Sequence, residues 1–329
     1  MEQAPELPPL HAAAVAGDVE EVARLLAEGT PVNSLESRGR SALIEAAICG
    51  HEAVIRLLLD KGGNPMLPDA NERLPLNYAA CRGHMGATRM LLQAAPQSVR
   101  FTNAAGHLAA HHATTSRAPN NLAMLELLLD AAPDTLTART REPDGSTLLH
   151  GAAAFANAAA CRLLLARAPS LLMQRMDSGQ TAFELAIIMG SRSVQMRASW
   201  KPWDLGVEAF VDAARALLPA MSAAYVLAVL ETPRGAMLAS YLWPDLVAHH
   251  ALTPAQWARV PNPCPGLGRA LPAMLRRSEA EAGRLVARLP AADWQRLRTG
   301  AASLHRAQKQ LDIDLPAPLV RHILSIFDA

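Results

Sequence analysis

Short apolar segments recur along the first 198 residues, and each has the spacing of an amphipathic helix. Residues 10–33 contain an alanine-rich stretch, a Gly-Asp pair and then a run with two adjacent leucines. Alanines let helices approach closely, and a glycine can end a helix in a left-handed turn. The pattern therefore predicts two short helices in each segment, joined by a tight turn.

The segments follow one another at a nearly constant interval. The start of the first helix falls at residues 8, 41, 74 and 107, a period of 33, and then at 147 and 181. The starting tetrapeptides are Pro8-Pro9-Leu10-His11, Ser41-Ala42-Leu43-Ile44, Leu74-Pro75-Leu76-Asn77, His107-Leu108-Ala109-Ala110, Thr147-Leu148-Leu149-His150 and Thr181-Ala182-Phe183-Glu184. This period and signature resemble the ankyrin repeat. The resemblance covers about residues 7–198 and implies a solenoid of six stacked units.

The fourth copy departs from the pattern, and the second and third copies show where the paired leucines fall. In the fourth copy His107 falls in the slot of the signature threonine, and His112-Ala113 falls in that of the paired alanines. A longer spacing before the next leucines predicts an inserted loop at residues 116–121. The paired leucines of the second and third copies, Leu57-Leu58 and Leu91-Leu92, are expected to fill the layer between neighbouring units.

The composition changes after residue 198, because all five tryptophans lie in residues 199–329. Capping patterns such as Thr253-Pro254, and Ser278 with Glu281, predict a set of short helices in this region. We find no convincing run of alternating polar and apolar residues. The predicted fold class is therefore all-α, with an ankyrin-repeat solenoid over residues 1–198 and a helical C-terminal region over residues 199–329.

The end of the array leads to a further expectation. The sixth copy has an apolar first helix, but it lacks the paired leucines after Gly190. Trp200, Trp203 and Phe210 follow closely, without a long Gly/Ser tract between them. Because the last unit of a solenoid exposes an apolar face, we expect the C-terminal region to cap the array.

Composition and charge exclude several classes. With hydrophobic residues at 50%, charged residues at 19% and a mean hydropathy of +0.09, the chain is expected to fold. Residues 1–198 contain 17 basic and 19 acidic side chains, and residues 199–329 contain 14 and 11. Neither part is basic enough to bind the phosphates of a nucleic acid by charge alone, so we expect no nucleic-acid partner.

The termini and cysteines indicate a compartment. Residues 1–10 lack the basic start and apolar stretch of a signal peptide, and the longest strongly apolar passage, residues 220–230, is too short to cross a membrane. The four cysteines form no CxxC pair, which favours a reducing environment over a disulfide scaffold. We therefore expect no membrane insertion and a cytoplasmic location, with the nucleus as the alternative.

Catalytic and metal-binding signals are weak. His107 and His111 are four residues apart and could share a metal with His112, but no acidic ligand is adjacent. The chain contains none of the GxSxG, GxxxxGK[ST] or HExxH motifs. We therefore predict a protein that is not an enzyme and that needs no metal or cofactor. An active site in the C-terminal region remains a third-ranked alternative.

The resemblance implies where a partner would bind. Ankyrin proteins bind other proteins through a concave face made of hairpin tips and the exposed side of each first helix. The residues that this implies are Ser37, Arg38, Arg40, Asn71, Arg73, Arg82, Asn103, Asp144, Phe155 and Asp177. Flanking positions on the same surfaces are Ala70, Ala104, Pro143, Ser146, Ser178 and Gln180 on the tips, and Ile48, Cys49, Cys81, Thr114, Thr115 and Ala154 on the helices.

Three of these residues predict the character of the partner. Arg38, Arg40 and Arg73 occupy neighbouring or equivalent tip positions one period apart, so we expect a basic patch that favours an acidic segment of another protein. The sequence does not define the identity of that partner or the oligomeric state.

The C-terminal segment offers an alternative function. Residues 315–324 resemble the Leu-Pro-x-x-Leu stretch of a SOCS box or the opening helix of an F-box, but each match is partial. The main interpretation is a protein-interaction module or scaffold. The alternative is a substrate-receptor adaptor of a ubiquitin ligase with a degenerate box.

Overall fold

The computed structural model describes residues 7–141, 144–195, 207–264, 267–293 and 295. Within these residues the chain forms 17 α-helices and five 3₁₀ turns, with two isolated β-bridges and no longer strand. The predicted all-α class is confirmed. Contacts divide the chain into two compact units, Met1–Ala186 and Ile187–Ala329. The domain boundary predicted after residue 198 lies outside the described residues and stays a prediction.

The first unit consists of successive helix pairs. The helices are α1 Pro9–Ala16, α2 Val19–Ala27, α3 Ala42–Cys49, α4 Glu52–Asp60, α5 Pro75–Arg82, α6 Met85–Ala94, α7 Ala109–Thr115, α8 Asn121–Ala131, α9 Leu148–Ala154, α10 Ala158–Arg167 and residues 182–186 of α11, which spans Ala182–Gln195. The first helices of neighbouring pairs pack on one another in the order α1, α3, α5, α7 and α9. This arrangement, in which each pair contacts the next, is that of a repeat array.

In α5 and α9 a polar residue at the third position fixes where the helix begins, whereas α3 has Ile44 there and is capped by Ser41. Asn77 Oδ1 accepts a hydrogen bond from the Leu74 N–H at 2.8 Å, and His150 Nδ1 accepts one from the Thr147 N–H at 3.2 Å. The opposite ring nitrogen of His150 donates to the carbonyl of Gln180 in the following hairpin, at 3.2 Å. His150 therefore caps its own helix and ties neighbouring units together.

The predicted register of the fourth unit is wrong by one residue. Helix α7 has Leu108 as its N-cap, 34 residues after Leu74, and His111 Nδ1 accepts from the Leu108 N–H at 3.1 Å. The signature histidine is therefore His111, and His107 precedes the helix. The paired-alanine slot accordingly holds Ala113 and Thr114, both fully buried.

The extra residue has a local cause. After α6 the chain forms a 3₁₀ turn over Pro96–Arg100, where the preceding unit has a glycine-containing loop at residues 61–63. The same kind of turn recurs at Pro133–Thr137 and Pro169–Met173. Since each turn begins with an Ala-Pro pair, that dipeptide marks the longer connection.

One leucine from each second helix fills the layer between units. These leucines, each at most 8% exposed, are Leu25, Leu58, Leu91, Leu128 and Leu164. Leu91 is confirmed as a layer residue, but Leu57 is only partly buried, so its predicted role is wrong. Leu57, Leu58 and Leu59 form an uninterrupted run, and helical rotation directs only the middle leucine fully into the layer.

The predicted insertion lies between α7 and α8, at residues 116–120. Ser116 Oγ donates to the Cys81 carbonyl at 2.7 Å, and Asn120 Nδ2 donates to the Gly83 carbonyl at 2.7 Å. The inserted loop is therefore anchored to the helix turn of the preceding unit.

The second unit is also helical where it is described. It contains the end of α11 and the helices α12 Val207–Leu217, α13 Ala223–Leu230, α14 Pro233–His249, α15 Pro254–Arg259, α16 Leu271–Arg277 and α17 Glu279–Val286. The predicted caps are confirmed, since Thr253 accepts from the Gln256 N–H and Ser278 from the Glu281 N–H. Trp200 and Trp203 lie outside the described residues.

Candidate partner-binding face

Six side chains from three neighbouring units meet on the face formed by hairpin ends and first helices. Arg40, Arg73 and His107 each occupy the position before a helix N-cap, and Glu45, Tyr78 and His112 each occupy the fourth position of the helix that follows. We call Arg40, Glu45, Arg73, Tyr78, His107 and His112 the central cluster. Because the units are stacked in register, equivalent positions become spatial neighbours.

Tyr78 organises the centre of this cluster. The guanidinium carbons of Arg40 and Arg73 lie 5.2 and 5.9 Å from the centroid of its ring, within the range of cation–π attraction. Its hydroxyl donates to Asp69 Oδ2 at 2.5 Å, while Asp69 Oδ1 accepts from the N–H groups of Asn71 and Arg73 at 2.9 and 2.8 Å. Burial and the hydrogen bond to Asp69 raise the pKa of Tyr78.

The positive charge of Arg40 is balanced by a carboxylate, but that of Arg73 is not. Arg40 Nη1 donates to Glu45 Oε1 at 3.3 Å, and Glu45 is itself buried. Arg73 forms no ion pair with any residue that the structure describes. The Nε atoms of both arginines are shielded from solvent and have no acceptor within the described ranges. Arg73 is therefore the uncompensated cation of the cluster.

Three histidines of the next unit lie close together, and, besides burial, the charge of Arg73 lowers the pKa of two of them, His107 and His112. The ring centroid of His107 is 5.5 Å from that of His111 and 5.8 Å from that of His112. Burial lowers the pKa of His111 to about 3, with smaller contributions from the neighbouring histidines. Burial also lowers the pKa of His112 to about 4, with help from the charge of Arg73. These two rings are therefore neutral near pH 7.

The structure distributes the residues predicted for partner binding over several environments. Those classed as exposed are Ser37, Arg38, Asn71, Arg82, Phe155 and Asp177, whereas Arg40, Arg73 and Asp144 are partly buried. Of the predicted basic patch, Arg40 and Arg73 come together on Tyr78, and Arg38 lies on the exposed hairpin. Pro143 lies outside the described residues.

The prediction that Asn103 lies on the partner-binding surface is wrong. It is 4% exposed, and its Oδ1 accepts from the N–H groups of Ala105 and His107 at 3.1 and 2.8 Å. It thus closes its hairpin as Asp69 closes the preceding one. The one-residue error in the register of the fourth unit placed it on the tip, and the same error placed the buried Thr114 on the helix surface. Ser146, another predicted tip position, is buried as well.

Sequence reasoning missed Glu45, Tyr78 and His112. The signal was available, because the fourth helix position carries large polar groups in these three units but Ala12 and Gly151 in two others. Among the described residues, no group of three or more His, Cys, Asp or Glu side chains is arranged to hold a metal ion.

Comparison with known proteins identifies the array. The family model described as ankyrin repeats (3 copies) matches residues 2–69. The chain is similar to Ankyrin repeat and SOCS box protein 16 of Mus musculus, at 36% identity over 114 residues that cover 32% of this chain and 25% of that protein. The chain contains ankyrin repeats. The family predicted from the 33-residue period is thus confirmed.

Further relatives match shorter stretches. Ankyrin repeat-containing protein YIL001W of Saccharomyces cerevisiae (strain ATCC 204508 / S288c) is 48% identical over 46 residues, or 14% of this chain and 9% of that protein. E3 ubiquitin-protein ligase XBAT33 of Arabidopsis thaliana is 39% identical over 85 residues, or 26% of this chain and 17% of that protein. The chain thus spans a quarter or less of the length of these relatives.

The described part of this ankyrin-repeat protein contains no helix that is both long enough and apolar enough to span a bilayer.

Proposed function

We propose that the ankyrin array binds another protein through the face that carries the hairpin ends and first helices, here called the recognition face. The central cluster is the observation that supports this proposal. Three adjacent units place two arginines and two histidines on this one face around the buried Tyr78 ring, while the same units bury alanines and leucines elsewhere. Arginine and aromatic side chains dominate the binding energy of many protein interfaces.

The charge of the array indicates the class of partner, and the cysteines indicate the compartment. Residues 1–198 have two more acidic than basic side chains, which favours a protein over a nucleic acid as the partner. The four cysteines are all free thiols, as expected in a reducing compartment such as the cytoplasm or nucleus. We assign the array a binding role rather than a catalytic one.

Affinity purification with two matched variants tests this proposal. The face variant replaces Arg38, Arg82 and Phe155 by serine, and the control variant replaces Arg56, Arg89 and Met173, which are equally exposed but lie on second helices or the turn that follows one. We expect wild type and the control to capture the same protein, identified by mass spectrometry, and the face variant to lose it. Capture that survives in the face variant but fails in the control would contradict the proposal.

A ligase adaptor is the second candidate, because two relatives carry the names Ankyrin repeat and SOCS box protein 16 and E3 ubiquitin-protein ligase XBAT33. The box-like residues 315–324 of this chain lie outside the described residues. Elongin or a cullin retained by wild type, the face variant and the control variant alike would favour this function.

The C-terminal region is proposed to cap the array, because the sixth copy lacks a leucine-paired second helix. A fragment of residues 1–199 should therefore be poorly soluble, or unfold at lower urea concentration than the full chain. Circular dichroism during urea titration measures the difference. A soluble monomeric fragment with the same unfolding midpoint as the full chain would contradict the capping role.

A further inference from the structure

We propose that Arg73 binds a carboxylate of the partner, supplied by an aspartate or glutamate side chain. This inference rests on the proposed function and specifies which group the recognition face binds. It concerns one guanidinium, which lies over the Tyr78 ring and whose charge, besides burial, lowers the pKa of His107 and His112 in the next unit.

The carboxylates near Arg73 are already engaged. Glu45 accepts from Arg40, and Glu72 lies 4.0 Å from Arg141. Both oxygens of Asp69 are occupied, one by the Tyr78 hydroxyl and the other by two backbone N–H groups. Arg73 Nε is shielded from solvent and has no partner in the described structure, which leaves the terminal Nη groups as the donors that an external acceptor can reach.

The surroundings favour a charged acceptor. A partly buried guanidinium has lost some hydration, and a carboxylate that forms two parallel hydrogen bonds with it restores that loss. Cation–π attraction to the Tyr78 ring restrains the guanidinium, which reduces the entropy lost on binding. His112 and His111 are neutral, so they add no second cation beside Arg73.

The charge balance favours a carboxylate over a phosphate. Arg40 is paired with Glu45, and the Asp69 carboxylate accepts from the Tyr78 hydroxyl. The two arginines and these two carboxylates balance in number, so the surroundings of Arg73 tolerate one added negative charge better than two. A phosphoryl group carries close to two negative charges at neutral pH and would be repelled by Glu45 and Asp69.

Selection from a random peptide library on the immobilised full-length protein tests this inference. We expect selected peptides to share an acidic residue at one position, and replacement of that residue by its amide to weaken binding about tenfold. The Arg73→Gln variant should bind the acidic peptide more weakly than wild type by the same factor. It should bind the acidic peptide and its amide equally well. Arg73→Lys should fall in between, because lysine cannot form the planar pair.

Arg89→Gln provides the matched control, because it removes the same charge from the exposed second helix of the same unit. It should change affinity by less than about twofold. An amidated peptide C-terminus should leave binding unchanged, whereas loss on amidation would assign the contact to a terminal carboxylate instead and overturn the side-chain assignment.

Other outcomes separate this inference from the function on which it rests. Peptides that bind without a shared acidic position, or that bind Arg73→Gln as tightly as wild type, would overturn the carboxylate site and leave partner binding intact. Tighter binding after replacement of the acidic residue by phosphoserine would also overturn it. A selection that yields no binding peptide at all would count against the proposed function itself.

Discussion

Acidification from pH 7 to pH 4.5 should lower the free energy of unfolding by about 4 kcal/mol. Burial lowers the pKa of His111 to about 3 and that of His112 to about 4, compared with 6.5 for an ordinary histidine. As the pH falls below 6.5, the unfolded chain takes up two protons that the folded chain excludes. The contribution of the two neutral histidines to stability is therefore complete above pH 6.5 and is lost as the pH falls towards 4. Urea unfolding at several pH values measures it.

The third unit supplies the matched control for this prediction. Asn77 and Tyr78 occupy the positions equivalent to His111 and His112, so His111→Asn with His112→Tyr introduces residues that the same framework already accepts. We expect the double variant to lose most of the pH dependence. Neighbouring Arg73, His107 and Asp144 remain unchanged in both proteins. Parallel pH profiles for wild type and the double variant would show that these histidines are protonated in the folded protein.

Leu58→Ala should lower the free energy of unfolding by about 2–5 kcal/mol, with a similar loss for Leu91→Ala. Both leucines are almost fully buried in the layer between helix pairs, where neighbouring units on either side limit collapse of the cavity. Chemical denaturation of the full chain measures the effect.

Leu57→Ala is the control, because Leu57 lies one residue away in the same helix but is only partly buried. Leu57→Ala should lower the free energy of unfolding less than Leu58→Ala does, with a difference of about 1 kcal/mol or more. If Leu57→Ala were the more damaging of the two, the assignment of the buried leucines to Leu25, Leu58 and Leu91 would be wrong.

The general architecture was predictable because it depends on features repeated many times. Six signatures at near-constant spacing predict paired helices, and capping residues such as Thr253 and Ser278 predict helix starts in the C-terminal region. Each of these signals is local, so the type of element follows from sequence alone.

The register of the fourth unit was harder to predict, because placing His107 in the threonine slot preserved the period of 33. In the structure Leu108 takes that slot, and His111 accepts from the Leu108 N–H and caps the helix. The Ala-Pro turn at Pro96–Arg100 adds the residue that makes this spacing necessary. One misplaced residue then changed the assigned environments of Asn103 and Thr114.

The central cluster depends on contacts between units and could be predicted only in part. The equivalence of Arg40 and Arg73 follows from the repeat, but their shared contact with Tyr78 depends on stacking in three dimensions. Stacking of the units also decides which arginine is paired. Of the two, only Arg40 forms an ion pair with a carboxylate among the described residues.

Site-specific photo-cross-linking to the co-purified partner tests the recognition face most directly. A benzophenone side chain would be placed in turn at Asn71, Arg82 and Phe155 on the recognition face, and at Arg56, Arg89 and Arg162 on second helices, all of them exposed. We predict covalent adducts with the partner from the first set and none above background from the second. Adducts formed mainly from the second-helix positions would contradict the assignment of this face.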